Sequence, residues 1–383
     1  MRESMYGELS VIGMRGCSRF INQVDYYLKE WRSHGDGEGF VINAECPRFG
    51  SGEAKGLLHT TMRGQDVYIF SDCFNHSVKY KMFGEEVPMS PDDHFQDLKR
   101  TIAAIGGKAN RITVIMPMLY EGRQHKRNSR ESLDCALALQ ELVNMGVSNI
   151  ITFDAHDPRV QNAIPLTGFD NIRPTYQMLK ALVKNIPDIS LDHDDTIIIS
   201  PDEGAMSRTM YYASILGLEL GMFYKRRNYS VIIDGKNPIE AHEYLGRDVR
   251  GKDVIVVDDM IASGDSIIDV SKQLKEKGAR RIFFFVTFGL FVNGFDVFDK
   301  AYAEGIFDKC FTTNLIYQPE GLINREWYAE VNMCKYVALL IDTLNQNKSI
   351  GTLLNPVKKI HTILDAQNAK KAAEAGAQMK IED

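Results

Sequence analysis

Short runs of β-branched and aromatic residues alternate along this chain with longer stretches whose apolar residues return at helical spacing. The strand-like runs are 66–70, 112–116, 149–153, 196–200, 254–257 and 281–287. Amphipathic helical patterns occupy 131–145, 204–216 and 265–278. Such alternation leaves few architectures open, because helices that follow strands cover the faces of parallel sheets, and the expected fold class is α/β. At 383 residues there is chain enough for two domains, each with its own core. An internal echo agrees with two domains of related architecture: 63–72 reads RGQDVYIFSD and 250–259 reads RGKDVIVVDD. Ligands of such sheets bind beyond the carboxyl ends of the strands, so the residues just after each strand are where chemistry is expected.

A net charge of −6 argues against a general nucleic-acid binder, yet basic residues cluster in 123–130 and 225–227. Clusters of this kind in an acidic chain suit a small anionic ligand. The six cysteines are scattered with no C-x-x-C pair, which excludes the usual zinc frameworks and does not read as a disulfide scaffold. The N-terminus lacks the apolar segment of a signal peptide, and the most apolar run, 282–292, is too short to span a bilayer and reads as a buried strand. The expectation is a cytoplasmic protein with neither nucleic acid nor membrane as partner. From about 366 onward the chain is rich in Ala, Lys and Glu and reads as a solvated helix or frayed end.

The densest chemistry lies at 254–266, VIVVDDMIASGDS. An apolar strand ends at two carboxylates, Asp258 and Asp259, and the turn Ala262-Ser263-Gly264-Asp265-Ser266 then opens a helix. Gly264 permits close backbone approach, the hydroxyls of Ser263 and Ser266 can donate, and a helix N-terminus attracts an anion through its unpaired N–H groups and its dipole. The acid pair can accept from vicinal sugar hydroxyls. Together these suit a molecule with a phosphate at one end and a diol nearby.

This string resembles the phosphoribosyl pyrophosphate loop of type I phosphoribosyltransferases and of the ribose-phosphate pyrophosphokinases. Ala262 stands for a usual Asp and Asp265 for a second Gly. By that resemblance Asp258, with Asp259 beside it, would hold the ribose hydroxyls, and 262–266 would wrap the 5-phosphate of ribose 5-phosphate. Four further segments resemble the pyrophosphokinases in order. In 48–53, RFGSGE, the resemblance assigns Phe49, Ser51, Gly52 and Glu53 to ATP, with Ser51 replacing an Asp. In 117–131, PMLYEGRQHKRNSRE, it assigns Arg123 and Gln124 to ATP, with His125 replacing an acid. In 154–161, DAHDPRVQ, and 200–204, SPDEG, it assigns His156 and Asp202 to a Mg²⁺ ion. Finally 225–227, KRR, matches the start of a loop that closes over the transferring group, which makes Lys225 and Arg227 the expected catalytic cations. Residues 337–355 resemble the family's C-terminal helix and short tail, and the loop 228–249 is longer than the family's.

The resemblance implies two domains of type I phosphoribosyltransferase-like architecture, each a mainly parallel sheet flanked by helices. Expected boundaries are an N-terminal extension over 1–40, an ATP-binding domain over 41–172 and a domain with the sugar-phosphate and catalytic loops over 173–335. A C-terminal helix packing back, with a polar tail, fills 336–383. The implied reaction is transfer of the β,γ-diphosphoryl group of ATP to the 1-hydroxyl of ribose 5-phosphate, with Mg²⁺, in a homo-oligomer that is a dimer or hexamer. Two other readings stay open. A phosphoribosyltransferase would use the 254–266 loop alone, and a non-catalytic regulatory relative would account for the departures at Ser51, His125, Asn162, Ala262 and Asp265.

Overall fold

The computed structural model describes residues 5–32, 39–227 and 239–367, with the backbone alone described for 225–227 and 239–242. The tail beyond 367 and the stretch 228–238 of the expected long loop lie outside the described residues. The chain divides into two compact units, one of residues 1–174, 313–319 and 332–354, the other of 175–312, 320–331 and 355–383.

The first unit is built on a five-stranded sheet in the order Glu8–Gly13, Gln65–Phe70, Arg111–Ile115, Asn149–Phe153, Gly168–Ile172, every neighbouring pair parallel. Helices Ser18–Arg32, Pro91–Ile105, Asp134–Asn144 and Cys334–Asn345 belong to it. The second unit holds a seven-stranded sheet in the order Ile239–Leu245, Glu219–Arg227, Thr196–Ser200, Asp253–Ile261, Arg281–Gly289, Lys309–Thr313, Tyr328–Val331. Its central strands pair parallel, whereas Ile239–Leu245 runs antiparallel to Glu219–Arg227. Part of the segment read as a long loop is therefore strand, with alternation limited to Ile239-Glu240-Ala241-His242.

Sequence and architecture agree on why the central strands are continuous apolar runs. Ile197, Ile199, Val254, Val256, Ile282 and Phe284 pack into one core cluster, and the alternate residues Ile198, Ile255, Phe283 and Phe285 are equally buried. Both faces of the sheet are covered, as parallel strands require. The 282–289 run is a strand of this core.

The sequence echo has a physical counterpart. Asp66, second in its strand, and Asp253, first in its own, are fully buried, and each is clasped by an arginine in register on the next parallel strand. Arg111 reaches Asp66 at 2.8 and 2.6 Å, and Arg281 reaches Asp253 at 3.1 and 2.7 Å. In the first unit Asn345 of the Cys334–Asn345 helix also donates to Asp66, at 2.9 Å. None of the six cysteines forms a disulfide, five of them are buried, and among the described residues no helix is long and apolar enough to cross a membrane.

Candidate active site

In the second unit the strand Asp253–Ile261 lies between Thr196–Ser200 and Arg281–Gly289; pairing with the first ends at Val256, whereas pairing with the second continues to Ile261, so the carboxyl end is open on the Thr196–Ser200 side. There the chain turns through Ala262, Ser263 and Gly264 into the helix Asp265–Glu276. Gly264 adopts φ +95°, and a Cβ on it would sit 2.2 Å from Cζ of the buried Phe298 ring. Only glycine satisfies both the left-handed backbone and that contact. The loop is pinned from outside by the Val292 N–H, which donates to the Ala262 carbonyl at 3.0 Å. No side chain at the N-cap position caps the helix, and the Asp265 N–H makes only a long 3.5 Å contact with Ser263 Oγ. The first turn can therefore direct its N–H groups at an anion. Asp265 and Ser266 are exposed there, and Asp265 at the first helical position also favours the dipole.

Asp259 is buried, and Asp258 keeps 26% of its side chain exposed. Burial first, then the adjacent Asp259 charge, raises the Asp258 carboxyl well above the ordinary range; Arg208 opposes the shift and Asp202 adds to it. Arg208, buried on the helix Met206–Leu216, places Nη1 3.6 Å from Asp258 and 3.4 Å from Asp259. Sequence reading passed over this arginine. Its signal was an arginine on the same helical face as the buried Thr209, Tyr212 and Leu216, just after a strand that ends in SPDEG. Asp202 folds its own turn, its Oδ1 accepting from the N–H groups of Gly204 at 2.9 Å and Ala205 at 3.2 Å. Asp202, Asp258, Asp259 and Ala262–Ser266 thus gather at the carboxyl ends of two paired strands. Lys225 and Arg227 close the neighbouring strand Glu219–Arg227, beyond the residue in register with Ser200; their side chains are outside the described set.

The first unit holds the other expected residues. Arg48 and Ala54 bridge a tight hairpin in which the Phe49 N–H donates to the Glu53 carbonyl at 2.7 Å. Gly52 takes φ +94° at the turn, and Ser51 Oγ donates to the Glu53 carboxylate at 2.8 Å. Phe49 is 55% exposed at the tip of this hairpin. The hairpin is anchored by Arg48, which makes two 2.9 Å bonds to Asp97 on the helix Pro91–Ile105. That helix starts at a Ser90–Asp93 capping box with Pro91 in its first turn. The same helix holds the 117–124 loop: Phe95 stacks on Tyr120 at 4.3 Å, and Tyr120 donates to Asp92 at 2.7 Å. Arg123 is exposed, whereas the Gln124 amide donates to the carbonyls of Lys126 at 3.3 Å and Ser132 at 2.8 Å and so closes its own loop.

His156 follows the strand Asn149–Phe153 after Asp154, which sits at φ +40°, an unusual backbone for a residue with a side chain. The His125 and His156 rings lie 5.3 Å apart. Asp157 next to them is held down at about 2, first by the side-chain bond from Arg159 and against the effect of burial.

Comparison with known proteins follows this division. Residues 11–146 match the family model for the N-terminal domain of ribose phosphate pyrophosphokinase, and 168–302 match that of the phosphoribosyl transferase domain. The chain is 26% identical over 319 residues to the ribose-phosphate pyrophosphokinase of Vibrio cholerae, covering 82% of this chain and 91% of the relative. It is 30% identical over 275 residues to that of Mycoplasma pneumoniae, covering 70% of this chain and 75% of the relative. The crystal structure of phosphoribosylpyrophosphate synthetase from Mycobacterium smegmatis superposes with a TM-score of 0.70 at 23% identity, over 89% of this chain and 99% of the other. That last likeness is one of fold.

Proposed function

The chain belongs to the ribose-phosphate pyrophosphokinase family, and we propose that it transfers the β,γ-diphosphoryl group of ATP to the 1-hydroxyl of ribose 5-phosphate. The products are phosphoribosyl pyrophosphate and AMP. The observation that carries this reading is the Asp258–Asp259 pair, held against Arg208 and followed at once by a helix N-terminus without an N-cap side-chain bond. Such a pair accepts from ribose hydroxyls while the 262–266 turn takes the 5-phosphate.

In this reading the anomeric oxygen attacks the β-phosphorus, its proton passes to solvent, and the bond from the β-phosphorus to the α,β-bridging oxygen breaks as AMP leaves. No side-chain nucleophile is needed, because positioning and charge compensation supply most of the catalysis. Lys225 and Arg227 would offset the charge that builds on the phosphates. Phe49 would stack on the base and Arg123 would fork onto phosphate oxygens. Asp202 with the Asp258 pair gives an oxygen-rich donor set that fits Mg²⁺, and His156 would add a nitrogen in its own unit. Bound with ATP, Mg²⁺ supplies charge neutralisation. Cytoplasmic location and a homo-oligomer belong to the same proposal. Two observations favour the regulatory reading instead: the Gln124 amide closes its own loop, and the Glu53 carboxylate is engaged by Ser51.

A phosphorus NMR time course with ATP, ribose 5-phosphate and Mg²⁺ separates the two. Stoichiometric AMP and a sugar pyrophosphate are expected. A spectrum that stays unchanged while the folded protein binds nucleotide refutes catalysis. Lys225→Ala should lower turnover by about 10²-fold or more with substrate affinity largely kept.

A further inference from the structure

His125 occupies a position where the family resemblance leads one to expect an acid, and its surroundings are those of a ligand more than of a loop residue. The ring is 87% buried by its 13% exposure, and Nε2 lies 3.5 Å from Oδ2 of Asp157. Nδ1 is buried and makes no hydrogen bond. An unbonded buried ring nitrogen costs free energy that an unconstrained loop would shed by turning outward. The Asp157 carboxylate, itself fixed by Arg159 at 2.9 Å, faces the Nε2 side of the ring, which favours a proton there and leaves Nδ1 with its lone pair. A carboxylate behind one nitrogen and a lone pair on the other is the arrangement of a metal-binding histidine.

The second ring completes the argument. His125 and His156 have centroids 5.3 Å apart with planes tilted by 58°. Two imidazoles that share one ion at metal–nitrogen distances of about 2.1 Å place their ring centres about 5 Å apart.

We propose that His125, through Nδ1, and His156 form a two-nitrogen site that takes a first-row transition ion of the Co²⁺, Ni²⁺ or Zn²⁺ class in preference to Mg²⁺. Mg²⁺ favours oxygen and gives up water reluctantly, whereas imidazole suits the later divalent ions. Solvent or phosphate oxygens fill the remaining positions. The inference deepens the proposed function by naming the metal class at the His156 position, and it rests on that reading only for the ion's use in turnover.

The test is a Co²⁺ titration of the full chain followed by visible absorption, in a His193→Asn background. That background removes the exposed Asp192–His193–Asp194 cluster, which could also collect an ion. One equivalent of Co²⁺ should bind at least about 10-fold more tightly than Mg²⁺. Asp157→Asn should weaken Co²⁺ by about 10-fold, as loss of a carboxylate behind a ligand does, and His125→Asn by more, with stoichiometry and near-ultraviolet dichroism kept. If a variant does not fold, nitrogen NMR of the parent decides: Zn²⁺ should shift two histidine rings, one of them at Nδ1. Equal affinities for Co²⁺ and Mg²⁺, or Co²⁺ binding indifferent to His125, or Zn²⁺ shifting no pair of rings, would overturn the proposal. Product formation with Mg²⁺ but no His125-dependent Co²⁺ site sinks this inference alone, and a His125-dependent Co²⁺ site in a chain that forms no product with either Mg²⁺ or Co²⁺ sinks the synthetase reading alone.

Discussion

Gly264→Ala is the perturbation whose cost the structure lets one work out most directly. The added Cβ would lie 2.2 and 2.4 Å from Cζ and Cε2 of Phe298. Carbon atoms settle about 3.5 Å apart at closest, so the ring would have to retreat by roughly 1.3 Å. It has nowhere to go: Phe298 stacks on Trp327 at 5.3 Å and meets Phe291 at 5.1 Å, all inside one core. Overpacking of this kind costs about 1–3 kcal/mol, and an alanine held at a left-handed backbone adds about 1–2 kcal/mol. The expected loss is about 2–5 kcal/mol, a large part of a typical stability of about 5–15 kcal/mol. Urea unfolding read by fluorescence measures it. The chain has two tryptophans, and a Trp31→Phe background leaves Trp327, inside this core, as reporter. Phe298→Leu should relieve the steric part, so Gly264→Ala should cost at least about 1 kcal/mol less in that background. A Gly264→Ala protein within about 0.5 kcal/mol of its parent, or one with the same loss in both backgrounds, would refute the packing argument.

Other consequences follow from buried charges. Burial pushes the Asp72 carboxyl up to about 6, against the N–H groups of Phe74 and Tyr317 that favour the charged form. The folded chain therefore binds more protons than the unfolded chain between the ordinary carboxylate value and about 6, and this group's stabilisation falls as pH rises through that window, by about 3 kcal/mol at most. Asp72→Asn should remove that slope, so urea midpoints at pH 4.5 and 7 should show the variant gaining on its parent at the higher pH; parallel profiles would contradict it. Arg111→Met leaves Asp66 buried without its cation and should cost about 3 kcal/mol, partly recovered in an Asp66→Leu, Arg111→Met double variant. A double variant as unstable as the single one would speak against an uncompensated carboxylate. Arg208→Met removes the cation that opposes the Asp258 shift, so that carboxyl should rise further and the loss of stability should grow as pH rises and the pair ionises. A pH-independent loss would mean that Arg208 acts by packing alone.

The central strands were legible because parallel strands buried on both faces must be apolar throughout, and TIIIS, VIVV and RIFFFVT have no other comfortable place. The 254–266 motif was legible because its chemistry is contiguous: strand end, acid pair, turn and helix start are neighbours along the chain. The Ile239–Leu245 strand was read as loop because its alternation is short and gains meaning only beside the partner strand. Arg208 was missed because its role depends on a helix folding back to set it against two carboxylates fifty residues later.

What the sequence by itself determined is local: where the central strands fall, which glycine opens the phosphate turn, and that the chain carries the motifs of one family. Only the tertiary structure decided which charges meet. It set Arg111 against Asp66 and Arg281 against Asp253, pressed Phe298 onto Gly264, turned the Gln124 amide back onto its own loop and stood His125 beside His156. The physical reason is range. Backbone propensity and hydrophobic period act over a few residues and can be read along the chain. Burial and ion pairing depend on which distant segments share a low-dielectric neighbourhood, and that is fixed only when the sheets close.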